Sequence, residues 1–459
     1  MKKPLINNSK ILEKMINPLE VINQDNFSPI KGFSIDSRSL KKGDCFIALV
    51  GKHCDGHDFI PQAIKAGASC VISQKDTRSL SKVPVFVIKD TYLALEELTR
   101  YVRKIKNPFV FAITGSVGKT TTKEMLSFLL ESRFKVLKNK KTENNILGVA
   151  KTIFSLRDQE MLVLELGTNA PGEIERLGRM CIPSVGIITF IKPVHLEGLK
   201  SLRGIYKEKS SLLKSNPKMR VVLNGDDSFL KGLNTNQDIY WFGKDRTNHL
   251  WADIIKLGQK SCQFSVKDKF KLNLAAGFEG FIYNALAAIL GASLTKIPLK
   301  DLVARMNRFK GFLAFRMEFK EGKGYAVFND AYNANPYSLK EALATLKRYP
   351  QRKIAVIADM LELGKKSAYY HQSLAPHIIK CGFEYVLTLG DYAFYLDQRL
   401  KKLGCSNTFH FSSKEKLAKF IKDKFNKVRP ENSPSQKGWL IFLKGSRMME
   451  LEKITDFLG

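Results

Sequence analysis

The chain has 459 residues, 44% of them hydrophobic, and a formal net charge of +31. That length suits about three domains of ordinary size, each able to bury a core. The longest apolar stretch, Phe281 to Leu294, is interrupted by Asn284 and falls short of the roughly 18 residues that a membrane span needs. The N-terminus, MKKPLINNSKILEKM, has lysines with no apolar run behind them, which is not the pattern of a secretory signal. A soluble, cytoplasmic protein is expected.

The seven cysteines, Cys45, Cys54, Cys70, Cys181, Cys262, Cys381 and Cys405, are odd in number, scattered and never spaced as CxxC. That fits reduced thiols rather than a disulfide framework or a zinc site. The positive charge attracts anions. Its densest groups, such as KNKK at Lys138 to Lys141, are short, and no basic stripe with interleaved aromatics appears. A solvated basic surface is therefore expected, with no nucleic-acid partner.

In chain order, strand patterns alternate with helical ones, which reads as α/β throughout. Residues 1–104 carry the strands CFIAL, SCVIS and VFVI, the helix FIPQAIKAG and a charged helix from Leu93 to Ile105; a linker follows at Asn107-Pro108. Residues 105–316 carry FVFAIT, the helix TTKEMLSFLLES, then MLVLEL, VGIITF and VVLNG. These near-continuous apolar runs predict a mostly parallel sheet buried on both faces. Residues 317–459 carry YAVFND, KIAVIAD, YVLTLG and WLIFLKG, with the amphipathic helix SKEKLAKFIKDKF between the last two. They predict a Rossmann-like, doubly wound sheet, whose ligands sit at the carboxyl ends of the strands. The polar pairs Asn329-Asp330, Asp359-Met360 and Lys444-Gly445 fall there.

The stretch FAITGSVGKTTTKEM joins a strand to a helix in the manner of a phosphate-binding loop, yet Ile113 stands where the Walker pattern has its first glycine. Gly115 and Gly118 let backbone approach an anion, Lys119 can reach phosphates and the Thr120 hydroxyl can meet Mg²⁺. The plain alternative is a glycine turn ahead of a helix. Glu165, ending LVLE, suits a metal-holding carboxylate or a surface strand end. By themselves His195 reads as a core or surface histidine and Lys209 as a solvated helix lysine.

Taken with NNILGV, ELGTNAPGEIERL, HLEGLKSL, NDAYNANPYS, DMLELG and LKGSRMMELE, the loop resembles the Mur ligase family of ATP-dependent amide ligases. The family's loop commonly lacks the earlier glycine, which accounts for Ile113. The resemblance implies three domains: UDP-sugar binding in 1–104, ATP binding in 105–316, and a C-terminal ligase domain in 317–459 that closes over ATP. NDAYNANP and DMLELG point to the branch that joins D-alanyl-D-alanine to UDP-N-acetylmuramoyl-tripeptide through an acyl phosphate.

The resemblance also implies residue roles. Gly115, Ser116, Val117, Gly118, Lys119, Thr120 and Thr121 would hold ATP, joined by Asn284, Arg316, Asp330, Asn333 and Asn335. Thr120, Glu165, His195 and Lys209 would serve two Mg²⁺ ions, Lys209 as a carbamate, and Lys119, Glu165, His195 and Lys209 form the catalytic set. Asp36, Ser37, Arg38, Asn145, Thr168, Asn169, Asp359 and Glu362 would meet the substrates. The implied partners are small molecules, and the implied state a monomer.

The chain departs from the family at Phe190, at Gly280-Phe281 where His-Asn is usual, at Phe315 and at Ala358, and the Gly280-Phe281 departure leaves the adenine contacts unassigned by the resemblance. The rival readings are another Mur-type or folylpolyglutamate-type ligase and, further off, a nucleic-acid-binding P-loop ATPase.

Overall fold

A computed structural model describes residues 4–52, 54–76, 82–140, 143–311, 315–321, 325–426 and 438–458. Three sheets organise them. The first has five strands, in the order Glu20–Ile22, Val85–Val87, Cys70–Ser73, Asp44–Ile47, Gly32–Ser34. It is parallel except at the Glu20–Ile22 edge. The helix Thr91–Lys106 leaves this sheet and stops at Asn107, whose left-handed backbone (φ 44°) is tolerated by asparagine.

The second sheet has nine strands and is parallel from Val136–Lys138 through Met161–Glu165, Phe109–Thr114, Val185–Ile188, Arg220–Asn224 and Ile239–Gly243 to Leu250–Leu257. Its central strands are apolar along their length because helices cover both faces. The helix Lys119–Leu130 buries Met125, Leu126, Leu129 and Leu130 against this sheet and the helix Gly280–Ser293. Each such leucine contributes about 1.5–3 kcal/mol of burial. Two further strands, Cys262–Val266 and Phe270–Leu274, extend the sheet in antiparallel fashion. Their alternating burial suits strands with one wet face.

The third sheet runs Glu318–Glu321, Tyr325–Asn329, Trp439–Lys444, Arg352–Ala358, Tyr385–Leu389, Thr408–Phe411, with only the first strand antiparallel. The chain returns to insert Trp439–Lys444 between Tyr325–Asn329 and Arg352–Ala358. That return brings Asp330, Asp359 and Lys444 together at the carboxyl ends. The predicted helix SKEKLAKFIKDKF forms as Lys414–Asn426, preceded by the strand Thr408–Phe411, which the sequence reading passed over.

Candidate active site

A cleft of about 790 Å³ lies between the second and third sheets. Its floor is the loop from Gly115 to Gly118. Gly115 has φ 141°, and a Cβ there would meet Thr189 Oγ1 at 2.1 Å. Gly118 has φ 83°, and a Cβ there would lie 2.3 Å from Asn284 Oδ1. Both positions therefore require glycine. Gly118 precedes the helix Lys119–Leu130 without any side-chain cap, so the first helical N–H groups remain available to an anion.

The short loop is pinned from one side. Ser116 N donates to Phe190 O (2.8 Å), Ser116 Oγ donates to Lys192 O (2.9 Å), and Lys192 N donates back to Ser116 Oγ (2.9 Å). Thr189 Oγ1 donates to Val117 O. The segment after the strand Val185–Ile188 thus holds the loop in place of the missing glycine turn at Ile113.

Lys119 Nζ donates to Gly115 O at 3.0 Å, and burial pushes its ammonium below the usual range, opposed by the Glu165 charge. Glu165 is 3% exposed, pairs in register with Ile113, and receives Asn144 Nδ2 on Oε1 at 3.0 Å. Its Oε2 is buried with no partner. Glu165 is therefore no surface strand end. Lys209 is also wholly buried, and its Nζ has no hydrogen-bond partner. Burial holds its pKa well below that of an ordinary lysine, and the Lys119 charge adds to the effect. The solvated helix lysine expected from the local sequence is overturned: its helix, Leu202–Ser210, turns Glu208 and Lys209 inward. Glu208 receives Thr168 Oγ1, Gly172 N and Ile174 N, tying that helix to the loop carrying Thr168 and Asn169.

The third sheet supplies the roof. Arg316 donates to Thr120 Oγ1 at 3.0 Å and lies 3.8 Å over the Tyr332 ring. His195 Nδ1 lies 2.6 Å from Glu362 Oε2, and this contact holds the Glu362 carboxyl below its usual range. Asp330 is paired with buried Lys444, which also donates to Asn333 O at 3.0 Å. Asn335 lines the cleft, but its side chain caps the helix Pro336–Leu346 through Ser338 N at 2.8 Å. Beside the phosphate loop, Phe190 packs on Tyr283 with ring centroids 5.1 Å apart, Lys192 lies 5.1 Å over Tyr337, and together they form an aromatic wall where the chain departs from the family pattern at Phe190.

A second cavity of about 640 Å³ is lined by Asp36, Ser37, Arg38, Cys54, Lys151 and, shared with the first cleft, Asn145. Arg38 donates to both Asp36 carboxylate oxygens at 2.9 and 2.8 Å, which fixes the turn and lowers the Asp36 pKa. Ser37 Oγ donates to Gln62 Oε1 at 2.8 Å.

Of the expected residues, Ser116 to Thr121, Asn145, Glu165, Thr168, Asn169, His195, Asn284, Arg316, Asp330, Asn333, Asn335 and Glu362 line the first cleft. Gly115 opens the loop that floors it, and Lys209, wholly buried, is close enough to Lys119 and Glu165 to feel their charges. Asp359 stands apart from this group. Its Oδ1 accepts Tyr392 N (3.0 Å) and Ala393 N (2.7 Å), which commits the carboxylate to the start of the helix Ala393–Lys402, and it does not line the cleft. The reading also missed Asn144, Thr189, Lys192 and Lys444. Asn144 stands in the quoted NNILGV and Lys444 at a noted strand end, so each carried a local signal without an assigned role.

The sequence models of three Mur ligase segments match the chain: the family's catalytic domain at residues 29–103, the middle domain at 113–292 and the glutamate ligase domain at 315–446. The chain belongs to the Mur ligase family. Among its relatives is the UDP-N-acetylmuramoyl-tripeptide–D-alanyl-D-alanine ligase of Rickettsia prowazekii, 33% identical over 99% of this chain and 100% of that one. The enzyme of the same name from Buchnera aphidicola is 31% identical over 92% of each chain. Among solved structures, MurF from Acinetobacter baumannii superposes with a TM-score of 0.87 at 26% identity over 99% of both chains. MurF ligase from Thermotoga maritima in complex with ADP gives 0.78 at 26% identity, covering 93% of this chain and 96% of that one. Use of ATP and ligase activity follow from these relationships.

Proposed function

We propose that the chain joins D-alanyl-D-alanine to UDP-N-acetylmuramoyl-tripeptide, with ATP converted to ADP and phosphate. The observation that carries this reading is the meeting of Arg316 with Thr120 in the same cleft as a carboxylate oxygen, Glu165 Oε2, that has no partner. The names of the relatives supply the substrates.

In this mechanism the tripeptide carboxylate attacks the γ-phosphorus of ATP, giving an acyl phosphate and ADP. The dipeptide amine then attacks the acyl carbon, phosphate leaves, and the amine proton passes to solvent or phosphate. Backbone N–H groups from Gly115 to Lys119 and the Lys119 ammonium face the charge on the transferring group. Arg316 brings a second cation from the third sheet. The roof over the cleft excludes water that would hydrolyse the acyl phosphate.

The donor set fits Mg²⁺. Thr120, Glu165 and His195 offer hydroxyl, carboxylate and imidazole groups. Among the described residues no three His, Cys, Asp or Glu side chains gather into a closed metal site, so phosphate oxygens and water would complete the shell. Held by these residues, Mg²⁺ would supply positive charge to offset that of the phosphates. Lys209, wholly buried and unpartnered, with burial holding its pKa well below that of an ordinary lysine, fits a carbamate: its nitrogen would bond the carbon of CO₂, a proton would be released, and one negative charge would be shared by two oxygens. Asp36, Ser37 and Arg38 hold the UDP-sugar end in this reading. Residues 1–104, 105–316 and 317–459 act as sugar-nucleotide, ATP and closing domains. A cytoplasmic monomer belongs to this reading; no described helix is long and apolar enough to cross a membrane.

Phosphate release tests the reading, with ATP and Mg²⁺ present and the two substrates added separately and together. Release that needs both, with a pentapeptide product by mass, is expected. Release with the tripeptide and a different amine, or with nucleic acid, would overturn it.

A further inference from the structure

Glu165 is held with unusual completeness. The Asn139 side chain receives Glu165 N–H on Oδ1 and donates to Glu165 O from Nδ2, both at 2.9 Å. Asn139 Nδ2 also donates to Glu143 O at 2.7 Å, and its backbone carbonyl receives the wholly buried Lys123 Nζ at 2.7 Å. The main chain at Glu165 is therefore fixed on both sides, which leaves only the side-chain torsions to be set. Asn144 sets them: its Nδ2 donates to Oε1 at 3.0 Å. Asn144 is itself braced, because its carbonyl accepts Gly167 N at 2.8 Å and its amide fills the space beside Gly167, where a Cβ would stand 2.6 Å away.

We propose that Asn144 is a positioning residue for the Glu165 carboxylate, occupying Oε1 so that Oε2 is presented to a divalent cation in the cleft. A carboxylate with both oxygens free turns about its terminal torsion, whereas one oxygen fixed by a braced amide leaves the other aimed in a single direction. Hydrogen-bond donors behind a ligating carboxylate typically account for about 10–100-fold in metal affinity. The proposal rests on the reading of Glu165 as a metal ligand, so the experiment separates the two.

Mn²⁺ serves as the probe. Its binding to the full-length protein in the presence of ADP is followed by electron paramagnetic resonance, and ADP binding is measured separately in EDTA. Asn144→Ala is expected to weaken Mn²⁺ about 10–100-fold and to leave metal-free ADP binding unchanged, which a general loosening of the fold would not. Gly167→Ala, which pushes the Asn144 amide aside while keeping it, is expected to shift Mn²⁺ binding in the same direction. It also carries the test if Asn144→Ala does not fold. Glu165→Gln is the control. Unchanged Mn²⁺ binding in Asn144→Ala and Gly167→Ala, with loss in Glu165→Gln, overturns the positioning role alone. Unchanged binding in Glu165→Gln overturns the metal reading and the proposal together. Parallel losses of Mn²⁺ and metal-free ADP affinity also overturn it.

Discussion

Arg316 donates from its guanidinium to the Thr120 hydroxyl at 3.0 Å, across 196 positions of sequence. This bond joins the edge of the third sheet to the phosphate loop of the second. Arg316 is flanked by Phe315 and Met317, whose φ values of 62° and 52° are left-handed, and its guanidinium carbon lies 3.8 Å from the centroid of the Tyr332 ring. One guanidinium nitrogen, Nη2, makes the bond while the group sits over the ring, a combination that a lysine ammonium does not reproduce in geometry.

Arg316→Ala is expected to lower kcat/KM for ATP by roughly 10–100-fold, matching about 1.5–3 kcal/mol for a charged hydrogen bond. Arg316→Lys is expected to recover little. Steady-state kinetics with ATP varied checks both; full activity in the lysine variant would show that only charge is needed.

Gly118→Ala is expected to weaken both folding and ADP binding. The left-handed φ of 83° costs alanine about 1–2 kcal/mol, and the added Cβ meets Asn284 Oδ1 at 2.3 Å. Asn284→Ala in the same chain removes the contact and leaves the φ cost. A double-mutant cycle by urea unfolding is expected to show partial recovery, with a coupling of about 0.5–3 kcal/mol. Strict additivity would mean that the clash is relieved by local movement.

Lys209 has a depressed pKa because it is buried and faces the Lys119 charge. The neutral amine therefore persists to lower pH than in an ordinary lysine, and reaction with CO₂ is expected at neutral pH and lost in acid below the lowered pKa. A carbamate carbon resonance after addition of ¹³C-bicarbonate, absent in Lys209→Ala, checks this. Turnover in Lys209→Ala is expected to be lost and partly restored by short carboxylic acids. Full activity without rescue would remove the carbamate.

Cysteine labelling is expected to divide sharply. Cys181 is pushed up to about 12 and Cys262 to about 11, in each case chiefly by burial, so neither supplies thiolate near neutrality. Cys45, Cys70 and Cys381 are buried as well, whereas Cys54 is exposed and Cys405 intermediate. Iodoacetamide followed by peptide mapping is expected to mark Cys54 first, then Cys405, and the other five only after denaturation. Cys54 lines the second cavity, so the UDP-sugar peptide is expected to slow its labelling. Equal rates with and without it would place that substrate elsewhere.

The parallel strands and the phosphate loop were legible because their causes are local. Strands covered on both faces run apolar, and glycines stand where the backbone turns left-handed before a helix. The wet antiparallel pair Cys262–Val266 and Phe270–Leu274 was not legible, since half of its side chains face water. DMLELG was read as one unit, yet its aspartate serves a helix start some 33 residues away while its glutamate reaches His195. Nothing in a six-residue string separates those destinations. Lys209 misled for the same reason: its burial is imposed by segments distant in sequence, and its own helix gives no sign of it.

Asn145 belongs to the walls of both cavities, so only one turn of chain parts the expected sugar-nucleotide and phosphate sites. For inhibitor chemistry this proximity favours linkage. Two weak fragments, one seated beside Arg38 and one beside Lys119, could be tethered past Asn145 by a short spacer, and the second would then bind at an effective concentration in the millimolar range. Resistance would also be harder to acquire, because a substitution in that turn would disturb both natural substrates along with the drug.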